Sequence, residues 1–190
     1  IDGENLLTIS RNEIAQKIAY LSQGKNIPDM TVEQMVLHGR FPYLSYPRRY
    51  SSHDREFAIK AMETVGVAEF AHKPLYSLSG GMRQNAYIAM ALAQDTDYIL
   101  LDEPTTYLDI AHQLELMRIL RKLADSGKGI VTVMHNLPIA FDFSDKLTVM
   151  SNGKIIAYGT PSEICESHIV EDIFGVKIKQ VQKGKYLYEY

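Results

Sequence analysis

The sequence predicts an α/β domain built around a mostly parallel β-sheet with flanking helices. Two runs of consecutive apolar residues, 98–101 and 129–134, alternate along the chain with longer segments of helical periodicity. Such runs are typical of strands that are buried on both faces of a parallel sheet. They end at Asp102-Glu103 and at His135, where such sheets place ligands. We therefore expect helices on both sheet faces and a functional site along the carboxyl edge.

The composition restricts the class of protein. The 190 residues are 46% hydrophobic and 23% charged, which is ordinary for one globular domain. The net charge of −3 argues against an extended basic surface, so we predict no nucleic-acid partner. Cys165 is the only cysteine, so no intramolecular disulfide forms and a reducing compartment is expected. We expect no signal peptide, since no basic stretch followed by an apolar core opens these residues. The longest apolar stretches are too short to cross a bilayer, so if the protein works at a membrane we expect another subunit to supply the span.

The first part of the chain combines one strand with a helical segment. The apolar run 18–21, which ends just before Gln23, predicts a buried strand. Thr31 and Gln34 have the spacing of a capping box and mark a helix start. A second helix is predicted over 54–65, with a glycine at its C-terminal cap position.

The middle and end of the chain carry clearer local signals. Segment 82–94 is apolar on all sides and predicts a buried helix. Segment 110–124 is amphipathic, with an apolar stripe formed by Ile110, Leu114, Met117 and Leu120. Asn152-Gly153 predicts a hairpin between strands 147–150 and 154–158. One helix is then expected over 161–174, followed by a strand pair over 177–190 that turns at Lys183-Gly184.

Residues 78–84 read LSGGMRQ, which places a Ser-Gly-Gly turn at the start of a helix. Backbone N–H groups at such a turn can bind a phosphate, and side chains at the glycines would block its approach. The alternative is an ordinary helix start. The strand over 98–101 ends in two carboxylates, which can supply a Mg²⁺ ligand and a general base. The alternative role of these two carboxylates is to cap a helix that follows the strand.

Taken in order, several motifs resemble those of the nucleotide-binding subunit of an ABC transporter. They are Gln23, the string LSGGMRQ, the string YILLDEP over 98–104, Tyr107-Leu108-Asp109 and His135. The resemblance covers essentially the whole chain. It implies a P-loop NTPase-like fold with a helical subdomain, which binds ATP and Mg²⁺. It also implies a partner, because two such subunits close head to tail around two ATP molecules.

The resemblance implies a role for each catalytic position. Glu103 corresponds to the general base, and Asp102 to the carboxylate that holds Mg²⁺ through water. Gln23 corresponds to the residue that contacts Mg²⁺ or the attacking water. His135 corresponds to the switch histidine at the γ-phosphate, although Asn136 stands where an aspartate commonly follows it.

The LSGGMRQ turn would serve the partner subunit's nucleotide. Ser79, Gly80, Gly81 and Gln84 are therefore expected to contact a γ-phosphate across the dimer. Asp109 would also act across the dimer, and its alternative is to cap the helix that begins at residue 110.

The helical segment indicates a subclass. Residues 36–43, VLHGRFPY, are similar to a string found in importers of iron-siderophore, haem and cobalamin complexes. The resemblance implies that this subdomain receives a transmembrane permease, with a substrate-binding protein as an indirect partner. The subunit would then be peripheral, at the cytoplasmic face of the cell membrane. The alternative for Tyr43, Tyr46, Arg48 and Arg49 is an ordinary solvated loop.

We expect one partial ABC ATPase domain with four parts. These are a core strand and Q-loop (1–27), a helical subdomain (28–77), a catalytic core (78–146) and a C-terminal region (147–190).

No G-x-x-x-x-G-K-[ST] loop occurs in these 190 residues, so the isolated chain is expected to bind MgATP poorly and to hydrolyse none. Two alternatives stay open. One is a non-hydrolysing regulatory or partner module with a degenerate site, and the other is an ABC ATPase of a different transport or non-transport class.

Overall fold

The computed structural model describes residues 1–23, 27–106, 108–182 and 184–189. The predictions that involve Tyr107, Lys183, Tyr190 and residues 24–26 of the Q-loop segment lie outside this part of the chain. Two compact units are present, Ile1–Val133 and Met134–Tyr190. The predicted division into four parts stays a prediction.

The first unit contains a three-stranded parallel sheet in the order β1-β2-β3. The strands are β1 Ile18–Leu21, β2 Tyr98–Asp102 and β3 Gly129–Val133. Their register places Ile99 between Ala19 of β1 and Ile130 of β3. The predicted parallel sheet is confirmed, with each strand end within one residue of its expected position.

The two faces of this sheet differ in burial. One face carries Leu21 and Leu101, each 2% exposed. The other carries Tyr20, Val131 and Val133, which are 61%, 58% and 52% exposed. The expectation that both faces are covered is therefore wrong for the described residues. An apolar run shows that a strand can be buried on both faces, but it does not show what packs on each.

Five α-helices and three short 3₁₀ helices complete the described part of the first unit. The α-helices are α1 Arg11–Lys17, α2 Val32–Leu37, α3 Ser52–Thr64, α4 Gly80–Ala93 and α5 Ile110–Asp125. The 3₁₀ helices are His38–Tyr43, Ala68–Phe70 and Leu75–Ser77. Helix α1 was not predicted, although a capping box formed by Ser10 and Glu13 marks its start.

Local capping explains most helix boundaries. The predicted capping box of Thr31 and Gln34 is present at α2. Gly66 follows α3 with φ +70°, a left-handed conformation that glycine adopts without steric cost. In α5 the buried residues include Met117 and Leu120, as predicted, but Ile110 is exposed. The first turn of α5 thus departs from the predicted apolar stripe.

A buried charged pair holds the helical segment together. Arg40, in the first 3₁₀ helix, donates to a carboxylate oxygen of Asp54 at 3.0 Å and to the carbonyl of Ala93 at 2.9 Å. A Cβ at the neighbouring Gly39 would overlap the backbone carbonyl of Met90 in α4. The Gly-Arg dipeptide of the VLHGRFPY string therefore fixes how the 3₁₀ helix packs against α3 and α4.

The end of this string is anchored, whereas the loop that follows it is more exposed. Tyr43 lies under the Arg40 guanidinium, 4.1 Å from it, and donates its hydroxyl to the Gln94 carbonyl at 2.9 Å. Tyr46, by contrast, is 96% exposed. Arg48 places its guanidinium 4.5 Å from the ring centre of Phe41. Tyr43 is thus a packing residue, whereas Tyr46 and Arg48 face solvent.

The second unit consists of two antiparallel hairpins and three short helices. Its elements are α6 Leu137–Phe143, β4 Leu147–Ser151, β5 Lys154–Gly159, α7 Pro161–Glu166, α8 Ile169–Phe174, β6 Lys177–Gln182 and β7 Lys185–Glu189. They surround a core of Phe141, Val149, Ile164, Val170 and Tyr186. Asn152 and Gly153 have φ of 49° and 73°, as the predicted hairpin turn requires.

One helix prediction in this unit is wrong. The segment 161–174 forms two helices, because His168 adopts φ 56° and interrupts the helical path between α7 and α8. Nothing in the local sequence signals this break, since the segment contains no proline or glycine after Pro161. Among the described residues, no helix has the length and apolar character needed to cross a membrane.

Candidate functional site

The carboxyl edge of the sheet opens into a cleft of about 290 Å³. Five of the predicted site residues line this cleft: Gln23, Gly80, Gln84, Asp102 and Glu103. They come from the end of β1, the start of α4 and the end of β2, so the fold brings together three distant segments of sequence. Ser79, Gly81 and Asp109, which were also predicted as site residues, do not line this cleft.

Glu103 has an unusual backbone conformation. Its φ is 48°, in the left-handed region that a side chain other than glycine or asparagine rarely adopts. Its N–H donates to the carbonyl of Val133 at 3.1 Å, which ties the residue after β2 to the end of β3. Strained backbone conformations of this kind persist only where the surrounding structure holds them, and they are concentrated at functional sites.

Two side chains orient the Glu103 carboxylate. Its Oε2 accepts a hydrogen bond from Nε2 of Gln23 at 2.5 Å and another from Oγ1 of Thr106 at 3.0 Å. Both the backbone strain and these hydrogen bonds fix the direction of the carboxylate. A half-buried carboxylate in a fixed orientation can accept a proton from a bound water or hydroxyl group.

The oxygen atoms at this edge fit a magnesium ion. Asp102 offers a half-buried carboxylate at the end of β2. Gln23 directs its amide nitrogen to Glu103, and its amide carbonyl is a second oxygen donor at this edge. Both are hard oxygen donors, which Mg²⁺ prefers. No group of three or more His, Cys, Asp or Glu side chains in the described ranges could hold a metal by itself. Water and phosphate oxygens would have to complete the coordination.

The Ser-Gly-Gly turn begins helix α4. Ser79 is the N-cap, and its hydroxyl oxygen accepts a hydrogen bond from the N–H of Met82 at 3.2 Å. Gly80 and Gly81 form the first turn, which carries no acidic side chain. The first turn of α4 therefore has no carboxylate of its own at the positive end of the helix dipole. This arrangement suits an anion, while the capping bond also satisfies the alternative of an ordinary helix start.

Asp109 is the N-cap of α5, which confirms the alternative that the sequence left open. Its carboxylate accepts from the His112 backbone N–H at 2.9 Å and pairs with the His112 ring at 2.8 Å. These hydrogen bonds lower the pKa of Asp109. Its action across a dimer stays a prediction.

His135 belongs to the second unit and is exposed. It follows β3 by two positions, and Asn136 beside it caps α6 by accepting from the N–H of Ile139 at 3.3 Å. The neutral Asn136 therefore has a capping role, and the switch role of His135 stays a prediction.

Sequence reasoning gave no role to the six other residues that line the cleft: Ser22, Ile27, Arg83, Tyr87, Thr106 and Leu108. Thr106 lies three positions after Glu103, at a spacing that commonly brings a hydroxyl back to a preceding carboxylate in a turn. Arg83 and Tyr87 are one helical turn apart on α4, and Arg83 is one turn beyond Ser79. The periodicity of α4 could have placed both residues on the side of the Ser-Gly-Gly turn.

Comparison with known proteins agrees with these features. Residues 1–106, more than half of the chain, match the family described as ABC transporter. The chain is 40% identical over 176 residues to a petrobactin import ATP-binding protein of Bacillus anthracis. It is 39% identical over 179 residues to the ferric enterobactin transport ATP-binding protein of Escherichia coli. These alignments cover 92% and 93% of the chain but only 64% and 66% of the relatives, slightly less than two thirds of their length.

Solved structures give the same result for the fold. A metal-chelate type ABC transporter in an inward-facing conformation matches with a TM-score of 0.81 and 28% identity, covering 92% of this chain and 72% of that one. A dimeric ATP-binding cassette in a post-hydrolysis state, bound to ADP and phosphate, matches with a TM-score of 0.70 and 26% identity, covering 85% of this chain and 72% of its own. The chain therefore belongs to the ABC transporter family and has the α/β fold of its ATP-binding cassettes.

Proposed function

We propose that the protein containing this chain is the ATP-binding and ATP-hydrolysing subunit of an importer for an iron-siderophore, haem or cobalamin complex. The observation that carries this proposal is the arrangement of Glu103, held by Gln23 and Thr106 beside Asp102 at the sheet edge. Two relatives at about 40% identity, named for petrobactin and ferric enterobactin, support the transport class.

In this function Glu103 acts as the general base. Its fixed carboxylate orients a water for attack on the γ-phosphate and accepts the proton that the water loses. Gln23 and Thr106 keep the carboxylate pointing into the cleft. His135 would contact the γ-phosphate.

Asp102 and the carbonyl oxygen of Gln23 would hold a Mg²⁺ ion. When bound, Mg²⁺ neutralises charge on the phosphates. The Glu103 carboxylate remains the group that accepts the proton.

A second ATP-binding subunit is the proposed partner at the Ser-Gly-Gly turn. Ser79, Gly80 and Gly81 would bind the γ-phosphate of the partner's ATP. Gln84 and Asp109 would act at the same site across the dimer. The first turn of α4 carries no acidic side chain, so the positive end of its helix dipole supports an anionic ligand. ATP-binding cassettes of this family form dimers, as the dimeric post-hydrolysis structure illustrates.

The permease is the proposed partner of the helical segment. Phe41 of the first 3₁₀ helix and Tyr46 and Arg48 of the following loop offer exposed aromatic and cationic side chains, which suits a protein surface. The substrate-binding protein would interact only indirectly, through the permease. The subunit would then lie at the cytoplasmic face of the cell membrane.

The alternatives are a non-hydrolysing partner module and an ATPase of another class. The strained and doubly hydrogen-bonded Glu103 favours hydrolysis, since a module without chemistry would have no use for a carboxylate held at such a cost.

The test is to produce the full-length gene product with its neighbouring permease in lipid vesicles. We expect ATPase activity coupled to uptake of a ferric siderophore, haem or cobalamin, each offered separately. ATP binding without turnover would support the partner module instead. Turnover that none of the three cargo classes stimulates would overturn the importer assignment. The 190-residue chain by itself is expected to show no turnover.

A further inference from the structure

His112 lies in the first turn of α5 and is held in one orientation by Asp109. The Asp109 carboxylate accepts from the His112 backbone N–H at 2.9 Å, and its second oxygen bonds the ring Nδ1 at 2.8 Å. A carboxylate can only accept, so Nδ1 carries the proton in this pair. Rotation of the ring would break this bond. The other ring edge, with Cδ2 and Nε2, therefore points in a defined direction.

That other ring edge lies against Gly81. A Cβ at position 81 would be 2.9 Å from Cδ2, 3.2 Å from Cγ and 3.3 Å from Nε2 of His112. These distances are shorter than ordinary van der Waals contacts between carbon atoms. The ring thus occupies the space that a side chain at residue 81 would need. A side chain at residue 81 would therefore force the His112 ring or the turn itself to shift.

We propose that His112 is a positioning residue that couples Asp109 to the N-terminal turn of α4. Its ring bridges a carboxylate at the start of α5 and the backbone of Gly81, so the two segments keep one separation. This inference rests on the proposed function, in which Asp109 and the Ser-Gly-Gly turn both act across a dimer. The bridge would make the two elements engage a partner subunit together.

The position of Asp109 in the chain explains why this coupling matters. Asp109 follows Glu103 by a short segment that also contains Thr106, whose hydroxyl holds the Glu103 carboxylate. A displacement of this segment would move Asp109, and the paired His112 ring would carry the displacement to Gly81. The carboxylate that accepts the proton and the turn that binds the partner's phosphate would then be linked within one subunit.

A stability cycle tests the contact without any catalytic readout. In the full-length gene product, Gly81→Ala is expected to lower Tm by about 2–4 °C. In the His112→Ala background the same substitution is expected to lower Tm less, because the ring is gone. An equal Tm shift in both backgrounds would overturn the contact and with it the inference.

Steady-state kinetics test the positioning role. We expect His112→Ala to lower kcat about tenfold with an unchanged KM for ATP, because the residue acts on the closed arrangement and does not touch the nucleotide. His112→Asn should recover part of the kcat, since its amide nitrogen can take the place of Nδ1 beside Asp109. The matched control is His72→Ala, at a histidine that is 90% exposed on the helical segment and should leave kcat unchanged.

The two proposals fail in different ways. A wild-type protein without any ATPase activity would overturn the proposed function. An active wild type in which His112→Ala keeps full kcat would overturn the positioning role alone. Equal kcat values for His112→Ala and His112→Asn would also contradict the bridge to Asp109.

Discussion

The helical segment and the sheet edge each contain charged residues, but they use them in opposite ways. The Arg40–Asp54 pair is buried, with side chains 6% and 10% exposed. Glu103 is only half-buried and faces a cleft, and its backbone lies in the left-handed region. A charge that stabilises a fold is enclosed and fully bonded, whereas a charge available for chemistry keeps access to a ligand.

This contrast separates two motifs that pointed to the same family in the sequence. The string VLHGRFPY and the pair Asp102-Glu103 both indicated an ABC transporter subunit. The glycine and arginine of the first string pack the helical segment together, whereas the second motif opens into a cleft. Substitutions in the two regions should therefore divide into effects on folding and effects on turnover.

The largest expected effect is on the folding of the helical segment. Arg40→Ala leaves the Asp54 carboxylate buried without its cation, and should lower the free energy of unfolding by about 3–5 kcal/mol. Urea denaturation followed by circular dichroism measures this change. The control is Arg48→Ala at an exposed arginine, which should stay within about 0.5 kcal/mol of wild type. An equal loss of unfolding free energy in both variants would show that burial of the arginine makes no difference to its contribution.

The next effect concerns the sheet edge. Glu103→Gln keeps the size of the side chain but cannot accept a proton, so ATP hydrolysis by the full-length gene product should fall about 10²-fold or more. ATP binding and Tm should change little. Near-normal turnover, measured by phosphate release, would exclude Glu103 as the general base.

The acid sensitivity of the buried pair gives a smaller effect. Burial raises the pKa of Asp54, but hydrogen bonds from Ser51 and Arg40 outweigh it, so the pKa in the folded state is lowered. The stabilisation is then present above the ordinary aspartate pKa of about 3.9 and is lost as the pH falls through the folded-state value.

Asp54→Asn removes this titration, so its unfolding free energy should fall less steeply than that of wild type below about pH 4. Urea titrations at several pH values would reveal the difference in slope. Identical slopes would show that Asp54 does not contribute to acid unfolding.

The smallest effect isolates the backbone strain at the sheet edge. Glu103→Gly can adopt φ 48° without steric cost, whereas Glu103→Ala cannot. The glycine variant should therefore be more stable than the alanine variant by about 1 kcal/mol, with both inactive. Thermal unfolding compares the two proteins directly. A more stable alanine variant would mean that the left-handed conformation at residue 103 is not maintained.

Much of the fold could be predicted because its signals are local. The three strands, the capping box of α2, the hairpin at Asn152-Gly153 and the acidic end of β2 each depend on a few neighbouring residues. Their order along the chain was enough to indicate the family. The helix break at His168 was missed because no glycine or proline marks it.

The sequence by itself determined the elements, their order and the family, because strand runs, turn residues and catalytic motifs are short-range patterns. Tertiary structure alone decided which charges are buried, which sheet face is covered and which groups contact Glu103 and Gly81. These contacts join residues that are far apart in the chain, such as Gln23 and Glu103 or Gly81 and His112. Sequence periodicity reports only on residues within one element, so it does not indicate which distant residues will be in contact.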